Sequence, residues 1–274
     1  MPEIQVNGLE IYYETTGKGR PLVFIHGAFV SSTMWNPQVA YFSKNYQTLV
    51  YDLRGHGRTG PSDKKKYSVE LYADDLAQLL SRLNIQKPIL CGLSLGGMIA
   101  QVFATKYFER LSALIVSDTA VTITLAKWDY VVRYLIGPKW LMLVSLRMMG
   151  VKRFIRFSFW LAKFTRSKEW LGNREIIEYE KNEMLQLDTN EYLKILGSIY
   201  DFKLQDLAKV RVPTLVLNGQ YEPKSIFKHA RKMQELITDC EVDIIPDAGH
   251  VTNLENIGDF NQRIKTFLER KAIP

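Results

Sequence analysis

Short β-branched runs alternate with stretches of helical periodicity through the first 118 residues, stop, and resume near residue 214. Strand-like segments fall at 3–7, 9–14, 22–26, 47–51, 88–93 and 113–117, with helix-period segments at 34–44, 68–83 and 95–107. A helix between two strands acts as a crossover, so the strands run parallel and the helices cover both faces of the sheet. The first pair is the exception: Asn7-Gly8 between two alternating runs marks a tight hairpin, so those strands are expected to be antiparallel. After the interruption, 214–218 and 242–245 read as strands, and 225–237 and 257–270 as helices. The expected fold class is therefore α/β, a mostly parallel eight-stranded sheet flanked by helices. Residues 122–205 show only helical periodicity, which divides the chain into a core of 1–121 and 206–274 and an all-helical insert of 122–205.

A chain of 274 residues buries roughly 75% of its unfolded surface, so its core needs neither disulfides nor a structural metal. The two cysteines, Cys91 and Cys240, match no metal spacing and no C-x-x-C motif, which points to a reducing compartment. The N-terminus alternates apolar and polar residues like a strand and lacks the basic and apolar regions of a signal peptide, so a cytoplasmic location is expected. No uncharged apolar run reaches the roughly 18 residues of a membrane-spanning helix; the best, 140–146, is bounded by Lys139 and Arg147. The net charge of +7 is local. Residues 122–168 carry ten Lys or Arg against the single acid Asp129, so this window holds more than the whole positive excess. It also holds Trp128, Tyr130, Tyr134, Trp140, Phe154, Phe157, Phe159, Trp160 and Phe164.

The sharpest chemical signal is Gly92-Leu93-Ser94-Leu95-Gly96-Gly97, set directly between the apolar run 89–91 and the helix expected over 95–107. A strand that turns abruptly into a helix at a serine strains that residue, and glycines two before and two after remove Cβ atoms that would clash. The Ser94 hydroxyl is then held up at the C-terminal edge of the sheet and at a helix N-terminus, where the dipole favours developing negative charge.

In these residues the chain resembles the α/β-hydrolase superfamily, over its whole length apart from the insert, which falls where that family carries its cap or lid. A serine nucleophile needs a base, and there are four histidines. His250, in Pro246-Asp247-Ala248-Gly249-His250 after the last strand, lies where the resemblance puts the base. His26, in Phe24-Ile25-His26-Gly27-Ala28-Phe29, looks like the family's oxyanion loop, and His56, in Asp52-Leu53-Arg54-Gly55-His56-Gly57, like a structural turn. His229, beside Lys228 and Arg231, reads as a solvated surface residue. The family's acid follows the strand after the cap in a G-x-x-D pattern. Here that stretch is Asn218-Gly219-Gln220-Tyr221-Glu222, so the implied acid is Glu222, with Asp118 after the strand 113–117 as the alternative. The resemblance also implies an oxyanion hole from the backbone N–H groups of Ala28 and Leu95, and an acyl pocket lined by Phe29 with Trp35 packed beside it.

A serine hydrolase is thus expected, carboxylesterase-like, cleaving esters, lactones or thioesters with an apolar acyl group through an acyl-enzyme. C–C bond hydrolysis, perhydrolysis and acyl transfer use the same residues, and the fold also hosts small-molecule receptors. No phosphate-binding loop, H-E-x-x-H or Cys/His cluster is present, so no cofactor and no metal are expected. The basic window reads first as cap helices that bury Trp and Phe against the core. A second reading is a cap that meets anionic membrane peripherally or gathers amphiphilic substrates. Nucleic acid is disfavoured, since no binding motif accompanies the charge. Gly137-Pro138, Gly150 and Gly172 are the expected breaks between cap helices; the oligomeric state is left open.

Overall fold

The computed structural model describes residues 2–125, 139–165, 167 and 169–273. Eight strands form one sheet: β1 (Glu3–Val6), β2 (Leu9–Thr16), β3 (Arg20–Ile25), β4 (Tyr46–Tyr51), β5 (Ile89–Leu93), β6 (Ala113–Ser117), β7 (Thr214–Gly219) and β8 (Cys240–Ile245). Their spatial order is β1-β2-β4-β3-β5-β6-β7-β8. The β1–β2 and β2–β4 pairs are antiparallel and all the others parallel. The hairpin turns on Asn7 and Gly8, both at positive φ (46° and 76°), as a two-residue turn between twisted strands requires.

Alternate residues of the parallel strands feed two separate apolar layers. Val23, Ile25, Leu90, Leu114, Val116 and Val216 pack on one face with helices α2 (Val69–Arg82), α3 (Leu95–Lys106) and α7 (Lys224–Leu236). Leu22, Phe24, Ile89, Cys91, Ile115, Leu215 and Leu217 pack on the other with α1 (Asn36–Phe42) and α9 (Ile257–Arg270). This period-2 partition explains why the strands read as continuous apolar runs: both faces are covered. Trp35 belongs to the second layer, stacked on Phe24 with ring centroids 4.9 Å apart. The expectation that it packs beside Phe29 is therefore wrong, because Phe29 packs against the other layer. The helix expected over 34–44 begins later, as a 3-10 turn (Ser32–Trp35) runs into α1, which opens on Asn36-Pro37. Proline fits the first helical turn, where its missing N–H has no partner to lose.

Between β6 and β7 lie α4 (Lys139–Thr165), α5 (Arg174–Gln186) and α6 (Thr189–Tyr200). Leu146, Val151, Phe154, Ile155 and Tyr192 form an apolar cluster of their own there. Gly150, at φ 72° and ψ 159°, breaks α4, and Gly172, at φ 74°, precedes α5, as expected of both glycines. Gly137-Pro138, Trp128, Tyr130 and Tyr134 lie outside the described residues. The aromatics of α4 divide. Phe154 is buried, but Trp140, Phe157 and Trp160 are 65%, 46% and 55% exposed, which corrects the expectation that they bury against the core. Among the described residues no helix is long and apolar enough to cross a membrane.

Candidate active site

Ser94 sits between β5 and α3 at φ 55° and ψ −114°, a conformation that costs a serine about 1–3 kcal/mol. The surroundings over-determine it. Its N–H donates to the Ser117 carbonyl at 2.9 Å, and its carbonyl accepts from Met98 N–H at 3.1 Å and from the Thr119 hydroxyl at 2.7 Å. The neighbouring glycines are demanded by close approach. A Cβ on Gly92 would lie 2.3 Å from the Gly96 carbonyl oxygen, and one on Gly96 would lie 2.1 Å from that of Ile25. Both contacts are backbone, so nothing flexible can yield. Gly96→Ala is accordingly expected to destabilise the protein by about 2–3 kcal/mol, read as a lower urea midpoint at unchanged slope.

His250 follows β8 in the loop before the short helix α8 (Thr252–Glu255), and its Nε2 lies 3.1 Å from Ser94 Oγ. Its Nδ1 is hydrogen-bonded to Glu222 Oε1, on the loop after β7. Glu222 is almost completely buried, and its Oε2 accepts from Trp170 Nε1 at 3.1 Å. A run Glu222–His250–Ser94 therefore joins the loops that follow β7, β8 and β5. Burial disfavours the imidazolium, but the Glu222 carboxylate more than offsets it and pushes His250 up to about 9.

Asp118 is adjacent to this run but engaged elsewhere. Its Oδ1 accepts from Gly219 N–H at 2.8 Å, and its Oδ2 from the Ser117 and Thr252 hydroxyls, both at 2.6 Å. It thus ties the end of β6 to β7 and α8 from a fully buried position, at φ 48°. Burial, with the Glu222 charge beside it, pushes its carboxyl up to about 7.

The other histidines take different roles. His26 Nε2 accepts from Leu53 N–H at 2.9 Å, which leaves the proton on Nδ1, 2.7 Å from the Gly27 carbonyl. Burial holds its pKa below the usual histidine value, in keeping with a neutral ring that clamps the Gly27-Ala28-Phe29 loop. His56 is buried behind it, on a turn tied to α2 by the Arg54–Asp75 ion pair at 2.8 Å. His229 is only 7% exposed and its Nδ1 accepts from Val121 N–H at 3.4 Å, so the surface reading was wrong. It shares the inner face of α7 with Ala230 and Met233, and the flanking charges misled.

Leu95 opens α3, so its N–H is one of the first-turn donors with no partner inside the helix. Ala28 lies on the loop that His26 clamps. Phe29, at φ 66°, stacks on Tyr192 of α6 with ring centroids 4.0 Å apart. Tyr192 in turn lines a cavity of about 160 Å³ with His250, Trp170, Phe159, Met184 and Glu180. Three polar residues here were missed by sequence reasoning. Glu255 accepts from Gly249 and Val251 N–H, each at 2.9 Å, and so holds the two residues on either side of His250. Its signal, an acid five residues past the histidine at a short helix, was present. Trp170 and Glu180 sit in the insert, where nothing in the pattern marks them.

A family model described as alpha/beta hydrolase fold matches residues 20–257. The chain belongs to this family. The hydrolase is 28% identical over 257 residues to a protein of Bacillus subtilis named uncharacterized carboxylesterase nap, covering 92% of this chain and 80% of that one. It is 25% identical over 268 residues to 3-oxoadipate enol-lactonase 2 of Acinetobacter baylyi, covering 94% and 92%. Among solved structures it resembles a thermophilic esterase from Thermogutta terrifontis, with a TM-score of 0.83, 25% identity and 99% of both chains covered.

Proposed function

We propose that this hydrolase cleaves carboxylic esters or lactones with a small apolar acyl group, through an acyl-enzyme on Ser94. The observation that carries the reading is the hydrogen-bonded run Glu222–His250–Ser94 ending beneath an apolar cavity. The names of the relatives, an enol-lactonase, a carboxylesterase and an esterase, support the same bond type.

In this mechanism His250 Nε2 takes the Ser94 proton as Oγ attacks the ester carbonyl, and the resulting imidazolium is stabilised by Glu222. The carbonyl oxygen becomes an oxyanion, which receives the Leu95 and Ala28 N–H groups at the positive end of α3. As the tetrahedral intermediate collapses, His250 returns its proton to the leaving alkoxide. Water, deprotonated by the same imidazole, then attacks the acyl-enzyme and frees Ser94. Residues 122–205 act as the cap, supplying Tyr192, Met184, Phe159 and Trp170 as the apolar roof.

The cavity is about the size of an engineered pocket that holds one benzene ring. Hydrolysis of p-nitrophenyl esters should therefore peak at short chains, with kcat/KM for the butyrate at least about tenfold above that for the laurate, since one poorly placed methylene is worth about 1 kcal/mol. A flat profile would remove the cavity from the acyl site. Labelling of Ser94 by a fluorophosphonate with no turnover of any ester or lactone would favour a binding protein instead.

A further inference from the structure

Two hollows share a wall above His250. The inner one is the 160 Å³ cavity, in which Glu180 supplies the only carboxyl among the described lining residues. The outer one is a groove of about 620 Å³ that uses the same Ile155, Phe159 and Leu171, adds Trp160, and carries the cations Lys152, Arg156 and Lys181. None of the three cations is ion-paired with a described carboxylate, and the Lys181 ammonium lies over the Phe159 ring, 4.8 Å from its centroid.

Three cations along one apolar groove, left without counter-ions, repel one another and would be relieved by an anion placed among them. The inner cavity has the opposite character. Among the described residues its lining is mainly apolar and holds no lysine or arginine, so an anion placed there would lose its hydration with no such cation to receive it. A molecule carrying both an apolar chain and a charge has one favourable orientation: chain inward, anion outward.

We infer that the groove holds the anionic end of an amphiphilic substrate, a phosphate or sulfate group joined by an apolar chain to the ester carbonyl that Ser94 attacks. The inference rests on the hydrolase reading above. The groove makes the selection by charge, and the inner cavity makes it by shape. The exposed apolar residues of α4, including Trp160 at the groove itself, suit a ligand that is itself partly apolar.

The probes are n-octyl phosphate, n-octanol and inorganic phosphate, used as inhibitors of p-nitrophenyl butyrate hydrolysis. Their binding is followed in parallel by calorimetry on the Ser94→Ala protein, which needs no turnover. The expected result is that octyl phosphate competes at least about tenfold more tightly than octanol, that the advantage shrinks in high salt, and that inorganic phosphate competes far more weakly than either. In Arg156→Gln/Lys181→Gln the tenfold preference should collapse toward unity. In Lys265→Gln, a charge change on the far helix α9, it should persist; melting curves verify that each variant folds. Equal binding of octyl phosphate and octanol, or a preference that survives the double substitution, overturns the proposal. So does competition by inorganic phosphate alone as strong as by octyl phosphate, since that describes a plain anion site. If phosphatidylglycerol vesicles bind the protein through Arg156 and Lys181 while monomeric octyl phosphate does not, the cations face a lipid surface and the substrate assignment falls. Failure of wild type to hydrolyse the butyrate while Ser94→Ala still prefers octyl phosphate would instead sink the hydrolase reading and keep the groove.

Discussion

Replacing Ser94 with alanine is expected to lower kcat for ester hydrolysis by about 10⁴- to 10⁶-fold, the range seen when a serine nucleophile is removed, and to leave the fold in place. The residual rate would come from the oxyanion donors and from binding alone. Alanine keeps the Cβ and hence the strain of φ 55°, so its melting temperature should stay close to that of wild type. Glycine at the same position should behave differently. It removes the Cβ that makes this conformation costly, worth about 1–3 kcal/mol, against about 0.5–1 kcal/mol of extra backbone entropy in the unfolded chain. Ser94→Gly is therefore expected to be as inactive as alanine but more stable, by about 1 kcal/mol in urea denaturation. A glycine variant no more stable than alanine would show that the turn is not held against its own preference. Survival of ester turnover in both variants would remove Ser94 from the chemistry.

The elements most legible in the sequence were those with both local and non-local demands on the same residues. Gly92, Ser94 and Gly96 could be read because the strand, the turn and the helix each needed a particular residue within five positions. The same holds for Asn7-Gly8, whose turn geometry fixed the antiparallel start of the sheet. The strands were readable because a parallel sheet covered on both faces leaves uninterrupted apolar runs. The layer to which a side chain belongs was less accessible. Trp35 follows the Gly27-Ala28-Phe29 loop closely in sequence, yet it stacks on Phe24 because a 3-10 turn carries it to the opposite face. His229 shows the limit of reading charge locally. Its flanking cations Lys228 and Arg231 are exposed, while the position itself faces inward with Met233.

The insert was legible as helices but not as a surface. Val151, Phe154 and Ile155 form one stripe at helical spacing and are buried, while Phe157, Trp160 and Leu161 form a second stripe and are exposed. Periodicity predicts one apolar face per helix, and α4 has two. Nor could spacing show that Trp170 would reach Glu222, because that contact joins segments 52 residues apart through a short 3-10 turn.

Glu222 and Asp118, the two candidates for the acid, should separate by both rate and pH. Glu222→Gln keeps the shape but removes the charge that favours the imidazolium and the acceptor that fixes the imidazole tautomer. A loss of about 10³- to 10⁴-fold in kcat/KM is expected, by analogy with the asparagine substitution in the serine-protease triad. Asp118→Asn should cost far less, under about tenfold. Its carboxyl is already held up to about 7, so near neutral pH an amide is close to the protonated form it replaces. The amide oxygen can still accept from Gly219 N–H, and the Ser117 and Thr252 hydroxyls can turn to accept from the amide nitrogen. The pH profile supplies the second test. The base works only when neutral, so activity rises as pH climbs through the His250 pKa, and Glu222 raises that pKa above the ordinary 6.5. Wild type should therefore show an acidic limb of kcat/KM above pH 6.5. In Glu222→Gln burial is left with less opposition, so the limb should move to lower pH even as the plateau collapses. In Asp118→Asn the limb should shift less, in the same direction, because Asp118 is a weaker contributor to the same imidazole. If the large rate loss and the large shift both follow Asp118 instead, the acid is Asp118 and Glu222 only buttresses the loop.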